Sequence, residues 1–173
     1  MPHHFLGQLV IGLALALICT PALPAGLRIA GGEIDDSFSG ADLYLSTPRE
    51  AAAPKTRACR AAKNYVVNIN AGQFSRVVDL FADDAVVLDP ARRVMKGRAQ
   101  IQAFYDGPVR QIRPELVGVA YLGDSKDCVV ELARKDTIGG QPRYVLVSID
   151  HFTVDQHGKV VRMVAFARPP RAP

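Results

Sequence analysis

The last third of the sequence alternates extended segments with short turns, and this pattern constrains the fold more than any other feature. Four strands are predicted at residues 115–122, 128–137, 143–154 and 160–168, with turns rich in Gly, Asp and Pro between them. Turns this short join antiparallel neighbours. Because the predicted helices come earlier, the expected class is α+β, with three N-terminal helices packed on a curved, mostly antiparallel sheet that encloses a pocket.

Three segments ahead of this sheet have the three- and four-residue apolar spacing of helices. The first runs from Thr56 to about residue 70 and turns Tyr65 towards the core, and the second is a short helix around residues 77–81. The third covers residues 97–105 and turns Phe104 and Tyr105 inwards. A short strand at residues 85–90 separates the second helix from the third and ends at Asp89, directly before a proline.

The N-terminal region is predicted to lie outside this fold. Residues 5–18 are an apolar run too short to span a bilayer, and small residues follow, so residues 1–25 have the pattern of a signal peptide. Residues 26–55 lack a sustained period and are predicted to be a flexible linker. The domain then covers residues 56–168, and residues 169–173 form a tail. The protein is accordingly expected in the periplasm or secreted, with membrane contact only if residues 1–25 are retained.

Charge and cysteine content limit the partners of this domain. The net charge is +4, but the cations are scattered and are not interleaved with a row of aromatic residues, so nucleic-acid binding is not indicated. If Cys19 leaves with the signal peptide, Cys59 and Cys128 remain. Two cysteines in an exported protein either form a disulfide or remain two small buried side chains, and the sequence leaves both alternatives open.

The predicted strand over residues 144–152 carries a carboxylate among apolar neighbours. Side chains alternate across a strand, so Leu146, Asp150 and Phe152 share one face and His151 lies on the other. If that face is a pocket wall, burial favours the protonated form of Asp150, which then donates a hydrogen bond near pH 7. If the face is solvated, Asp150 is an ordinary surface charge.

Two further patterns concern polar side chains. Asp89 ends its strand beside a loop, a position where scaffolds often hold catalytic groups, although Asp-Pro is also common turn chemistry. The histidines lack metal-site spacing with cysteines or carboxylates, so no metal site is indicated.

Five segments carry a resemblance to a known family: residues 65–72, 80–90, 97–105, 149–152 and 158–161. They closely resemble the bacterial Δ5-3-ketosteroid isomerases, members of the cone-shaped superfamily named after nuclear transport factor 2, over about residues 57–168. The resemblance implies that Asp89 is a general base and that Tyr65 and Asp150 form an oxyanion hole. It further implies a supporting role for Tyr105, a homodimer, and a small hydrophobic ketone as substrate.

The implied activity is transfer of a C=C bond from the β,γ to the α,β position of a 3-keto-Δ5-steroid or a similar ketone, a reaction that requires no metal or organic cofactor. The pocket is expected to include Phe104, Leu146, Phe152 and Phe166, the last from the final strand. The loop containing Arg92, Arg93 and Lys96 is more basic than a steroid-binding site requires, so the sequence leaves the exact substrate open. The alternatives are a non-catalytic domain that binds small hydrophobic ligands, or another pocket enzyme of the superfamily, such as a cyclase or dehydratase.

Overall fold

The computed structural model describes residues 49–168, together with the backbone of three two-residue strands ahead of them. These strands are β1 (Arg28–Ile29), β2 (Gly32–Glu33) and β3 (Tyr44–Leu45). The predicted signal peptide and the tail at residues 169–173 lie outside the described residues. Within the part of the chain that is described, every helix is too short or too polar to cross a lipid bilayer.

The helices fall into two groups along the sequence, at residues 57–78 and at residues 97–112. Helix α1 (Arg57–Asn70) starts at Thr56, whose hydroxyl accepts a hydrogen bond from the backbone N–H of Cys59 at 3.4 Å, and it buries an apolar face that includes Tyr65. Helix α2 (Phe74–Val78) follows, and α3 (Gly97–Phe104) continues into a π-helical turn (Tyr105–Val109) and the short α4 (Arg110–Ile112). The predicted arrangement of three N-terminal helices ahead of the sheet is not found, since α3 follows the strands at residues 81–96 and β3, which joins the same sheet, precedes α1.

The main sheet is mostly antiparallel. It contains β4 (Phe81–Leu88), β5 (Val94–Lys96), β6 (Leu116–Gly123), β7 (Asp127–Ile138), β8 (Gln141–Val154) and β9 (Val160–Ala167), in the order β5-β4-β9-β8-β7-β6. The last four strands are joined by the short turns that the sequence predicted, and their neighbours along the chain pair antiparallel. Only the contact between β4 and β9 is parallel among the described pairs of this sheet. The α+β class is therefore confirmed.

Strand β4 begins earlier than predicted. The second helix ends at Val78 rather than continuing through Phe81, and Phe81 is instead the first residue of β4, opposite Val160 of β9. The backbone N–H of Val160 also donates to the carbonyl of Leu80 at 2.8 Å, which fixes the start of this pairing. A local apolar pattern cannot reveal this, because the partner strand lies about eighty residues further along the chain.

The core lies between α1, α2, the π-helical turn and one face of the sheet. Its largest fully buried side chains include Phe81, Tyr105 and Phe152. Ring contacts connect this layer: Tyr105 meets Tyr65 edge to face with the ring centroids 6.2 Å apart, and Phe152 lies tilted against Tyr65 at 5.3 Å. The aromatic side chains of helix, turn and sheet are therefore packed together in one cluster.

Two short parts of the predicted linker over residues 26–55 make defined contacts with the domain, at residues 44–45 and 50–51. Strand β3 pairs with β8, with Tyr44 opposite Val145. The Glu50 carboxylate accepts hydrogen bonds from Lys63 Nζ (2.8 Å), the Gly118 N–H (2.8 Å) and the Tyr121 hydroxyl (2.6 Å). These contacts hold the segment against α1 and β6, although its composition is that of a tether.

Gly118 makes the Tyr121 contact possible. A β-carbon at Gly118 would lie 2.2 Å from the Tyr121 hydroxyl oxygen, well inside van der Waals contact. Glycine is therefore required for the phenol to fold back over the strand and reach Glu50. Burial and the bonded Glu50 carboxylate both raise the pKa of Tyr121, so the phenol stays protonated as the donor.

A disulfide joins Cys59 of α1 to Cys128 of β7, which settles the alternative that the sequence left open. Both cysteines are fully buried, and Cys128 pairs across the sheet with Phe152, whose ring lies against Tyr65. The bond therefore connects the helix that carries Tyr65 to the sheet next to the same tyrosine.

Removing this disulfide should weaken the fold. The bond closes a loop with a sequence separation of 69, so a Cys59→Ala/Cys128→Ala double variant should lose about 2–4 kcal/mol of unfolding free energy. Urea denaturation followed by far-UV circular dichroism measures the loss, and wild-type protein treated with dithiothreitol should match the variant. An unchanged midpoint after reduction would mean that the two thiols are not joined in solution.

Candidate functional site

A cavity of about 420 Å³ lies between α1, the π-helical turn and the sheet. Most of its wall is apolar, with Ile69 from α1, Leu132 from β7 and Met163 from β9 among the lining side chains. A small group of polar side chains interrupts this wall, including Tyr65, Asp89, Tyr105 and Asp150. An apolar cavity of this size with few polar groups has the character of a small-molecule site.

Tyr65 projects into the cavity from α1. Its side chain is buried, and its hydroxyl oxygen accepts a hydrogen bond from the Tyr105 hydroxyl at 3.3 Å. Burial and the nearby Asp150 carboxyl raise the pKa of Tyr65, while the bond from Tyr105 partly offsets the rise. The phenol therefore stays protonated at neutral pH, and its own O–H remains available to a ligand because Tyr105 is the donor in the pair.

Tyr105 is the first residue of the π-helical turn and is almost fully buried. Burial is the largest of the causes that raise its pKa well above the ordinary value, followed by the contact with Tyr65. The extra residue in a π-helical turn changes the direction of the side chains that follow, and such turns often occur at functional sites. Here the turn places the Tyr105 hydroxyl behind that of Tyr65.

Asp150 extends from β8 into the same apolar region. Its cross-strand neighbours are Val130 on β7 and Ala165 on β9, and its exposed fraction is 3%. Burial raises the pKa of Asp150 to about 7, against a smaller opposing contribution from the Ser148 hydroxyl. Its Oδ1 atom is buried and finds no hydrogen-bond partner within the described residues. The carboxyl group therefore ionises near neutral pH rather than near its ordinary value, and it has an unused polar atom.

Asp89 ends β4 at the cavity and is also 3% exposed. Unlike Asp150, it is fully engaged: Oδ1 accepts the Arg93 N–H at 2.7 Å, and Oδ2 accepts from the Arg93 guanidinium at 2.6 and 2.7 Å. The turn between the two residues closes through the Asp89 N–H and the Arg93 carbonyl at 3.0 Å, with Arg92 in the left-handed region. The Arg93 guanidinium also lies 5.2 Å from the ring centre of Phe104.

Residues 62–163 match the SnoaL-like domain family. The chain belongs to this family.

Solved structures with the same fold have different activities and ligands. A Δ5-3-ketosteroid isomerase from Mycobacterium sp. is 20% identical, with a TM-score of 0.53, and the match covers 64% of this chain and 92% of that one. The epoxide hydrolase/cyclase-like enzyme SalBIII, which acts in pyran ring formation of salinomycin, is 22% identical, with a TM-score of 0.54 over 62% and 88%. RV0760c from Mycobacterium tuberculosis, solved with estradiol-17β-hemisuccinate, is 17% identical, with a TM-score of 0.55 over 65% and 94%. Identities this low establish a common fold and nothing finer.

Within this SnoaL-like fold, the other predicted pocket residues have different positions. Phe104 and Leu146 line the cavity. Phe152 is fully buried behind Tyr65 and supports the wall without lining it. Phe166 does not line the cavity: it pairs with Ile149 on the outer face of the sheet and is 58% exposed. The prediction for Phe166 is therefore wrong, because the face of β9 that reaches the cavity carries Met163, Ala165 and Ala167 instead.

Sequence reasoning missed several polar residues at the site. The Asp89–Arg93 ion pair has the four-residue spacing of paired charges, which was a usable signal. Arg134, which lines the cavity, forms a bidentate ion pair with Asp136 at 2.8 Å for both bonds. Arg168, at the end of β9, also lines the cavity. These two positions could not be predicted from the sequence, because they depend on which strands are neighbours.

His151 lies outside the cavity wall, as alternation on the strand predicted. Its Nε2 atom is 3.0 Å from Asp127 Oδ1, which also accepts from the Thr153 hydroxyl at 2.7 Å. Across the described residues, no group of three His, Cys, Asp or Glu side chains is arranged to hold a metal ion.

Proposed function

We propose that this SnoaL-like protein is an isomerase that moves a C=C bond of a 3-keto-Δ5-steroid, or a similar ketone, from the β,γ to the α,β position. One observation carries the proposal: Asp150, a buried carboxyl with a pKa raised to about 7 and an unpaired oxygen, lines the same apolar cavity as Tyr65 and Asp89. A cavity that only encloses an apolar ligand has no need for two buried acids and a phenol, since burying each polar group is costly.

Asp89 is the proposed base. It removes a proton from the carbon between the carbonyl and the double bond, which gives a dienolate, and returns that proton two carbons further on, so the atoms balance without any co-reactant. Arg93 makes two contacts to Oδ2 and one to Oδ1, so Asp89 accepts the proton on the lone pair of Oδ1 that Arg93 leaves free. General base catalysis of this kind contributes roughly 10²–10⁴-fold.

Tyr65 and Asp150 are the proposed donors to the dienolate oxygen. Both are protonated in part or in full at neutral pH, and both face a cavity whose apolar wall strengthens hydrogen bonds to developing charge. The Tyr105 hydroxyl donates to Tyr65 and thereby directs the Tyr65 proton towards the ligand. The steroid isomerase and the steroid complex among the structures with this fold support the choice of substrate class.

A second candidate function is favoured by the Asp89–Arg93 ion pair. An acid that already holds a guanidinium and a backbone N–H is less accessible to a substrate proton than a free carboxylate. The same cavity would then serve a non-catalytic hydrophobic ligand, or another reaction such as the ring closure of the SalBIII-like enzymes. A computationally designed binder of 17-OHP has the same fold, at 16% identity and a TM-score of 0.55.

Turnover of a simple steroid distinguishes these functions. Purified full-length protein is incubated with 5-androstene-3,17-dione, and the rise in conjugated-enone absorbance is followed against a matched Asp89→Asn sample. The proposal requires a rate well above that of the variant. Equal rates, together with tight binding of the steroid, would instead support the non-catalytic binding domain.

We also infer export and self-association. A buried Cys59–Cys128 disulfide is typical of oxidising compartments and supports the periplasmic or secreted location. N-terminal sequencing of protein from the native host should find residues 1–25 removed.

The neighbouring exposed side chains of Ile149 and Phe166 on the outer sheet face are consistent with a homodimer. Sedimentation equilibrium should give twice the monomer mass, and a single-chain mass would contradict the dimer.

A further inference from the structure

Two carboxylates that line the cavity are held in ion pairs with arginines. Asp89 is paired with Arg93, and Asp136 is paired with Arg134. Of the two arginines that line the cavity, Arg134 and Arg168, only Arg168 has no carboxylate partner within residues 49–168. An arginine at the edge of an apolar cavity without such a partner is a ready site for an anionic group.

Arg168 directly follows β9, and its distance from the proposed oxyanion hole can be estimated along this strand. Ala165 is the cross-strand neighbour of Asp150, and Arg168 follows three residues later, where its backbone N–H donates to the Val147 carbonyl at 2.9 Å. Three residues of extended chain span about 10 Å. Arg168 and Asp150 thus lie at two separated points of one cavity, and the wall between them includes Ala167 and Val147.

We propose that the ligand of this cavity is an amphipathic ketone with an anionic group, a carboxylate or a sulfate ester, at the end away from its carbonyl, and that Arg168 binds this group. This inference rests on the proposed function for the orientation of the ketone towards Tyr65 and Asp150. A neutral steroid has no group that can pair with the Arg168 guanidinium. The proposed anionic group therefore adds a specificity for charge to the specificity for an apolar ketone. Arg134, the other arginine of the cavity wall, is already held by Asp136, which leaves Arg168 to bind the anion.

Calorimetric titration with a matched pair of ligands tests the assignment. The probes are 3-oxo-4-androstene-17β-carboxylic acid and its methyl ester, which share the ketone and the steroid body but differ in charge. We expect the full-length protein to bind the acid about tenfold more tightly than the ester at low salt, with the difference shrinking as salt is added. Testosterone 17-sulfate replaces the acid in a parallel titration and shows which anion is preferred.

Two variants locate the effect. Arg168→Gln should remove the preference for the acid while leaving the affinity for the ester within about twofold, because only the charged contact is lost. Arg162→Gln is the control: Arg162 is an exposed arginine on the same strand that does not line the cavity, and its loss should leave the preference intact.

The outcomes separate the two proposals. Equal affinity of wild-type protein for acid and ester, or a preference that survives Arg168→Gln, would overturn the role of Arg168 while leaving the ketosteroid cavity in place. Loss of the preference in Arg134→Gln but not in Arg168→Gln would assign the anion to Arg134 and would also overturn it. If neither probe binds, the cavity is not a ketosteroid site, and both proposals fall.

Discussion

An Asp89→Asn variant should isomerise 5-androstene-3,17-dione roughly 10²–10⁴-fold more slowly than the wild-type protein. The amide has almost the same shape as the carboxylate but cannot accept the substrate proton. Arg93, the partner that loses its ion pair, is 56% exposed in its side chain and can be solvated, so the fold should survive. The effect should therefore appear in kcat, with steroid affinity nearly unchanged.

The matched control for this variant is Asp84→Asn. Asp84 lies on the same strand, β4, but is exposed and does not line the cavity, so its turnover should equal that of the wild type. Thermal unfolding of both variants shows whether either has lost structure. A well-folded Asp89→Asn protein with wild-type kcat would exclude Asp89 as the base and would favour a different reaction in the same cavity.

Replacing Asp150 should lower turnover by about 10²–10³-fold when the new side chain cannot donate a hydrogen bond, as in Asp150→Leu. Asp150→Asn keeps an N–H donor and should lose much less. The wild-type rate should also fall as the pH rises through about 7, because the carboxyl ionises there and ceases to be a donor. Asp150→Asn has no such group and should lack this decline, which a pH profile of kcat/KM measures directly.

The same carboxyl affects the stability of the fold. In the unfolded chain Asp150 ionises near its ordinary value of 3.8, whereas in the folded protein burial raises its pKa to about 7. Between these values the unfolded chain holds fewer protons, so the free energy of unfolding falls as the pH rises, by at most about 4 kcal/mol. Asp150→Asn should flatten this dependence in urea denaturation between pH 4 and 8. A wild-type protein with no decline across this range would contradict the raised pKa.

The local parts of the site could be predicted from the sequence. Apolar spacing on α1 turned Tyr65 inwards, and alternation on β8 placed Asp150 on an apolar face, because both periods depend only on neighbouring residues. The structure puts both side chains in one cavity with Asp89.

Features that depend on strand pairing could not be predicted in this way. Phe166 was placed on the wrong face, since the register between β8 and β9 is set by pairing and not by the sequence of β9 alone. On β8, Val147 is an extra residue relative to β7, because Ser148 faces Leu132 while Leu146 faces Ala133. This bulge interrupts the alternation, so residues 145–148 all reach the cavity.

Polar contacts between residues far apart in the sequence could not be predicted either, for a related reason. Glu50 stands in an Ala- and Pro-rich stretch with no periodic pattern, and its partners Gly118 and Tyr121 are far away in the sequence. Only the folded chain brings them together. A buried or half-buried carboxylate of this kind has to be satisfied by hydrogen bonds, which is why a single acidic residue can anchor a whole segment.

The strand contributed by Tyr44 and Leu45 sets a limit on how this protein can be matured. It lies beside β8 at Val145, just beyond the point where β9 has ended, and Val145 is itself part of the cavity wall. A peptidase that cut downstream of residue 45 would therefore remove the strand that pairs with this part of the cavity wall. We expect any cleavage that preserves this pairing to fall upstream of Tyr44, so the position of the mature N-terminus and the support of the cavity wall depend on each other.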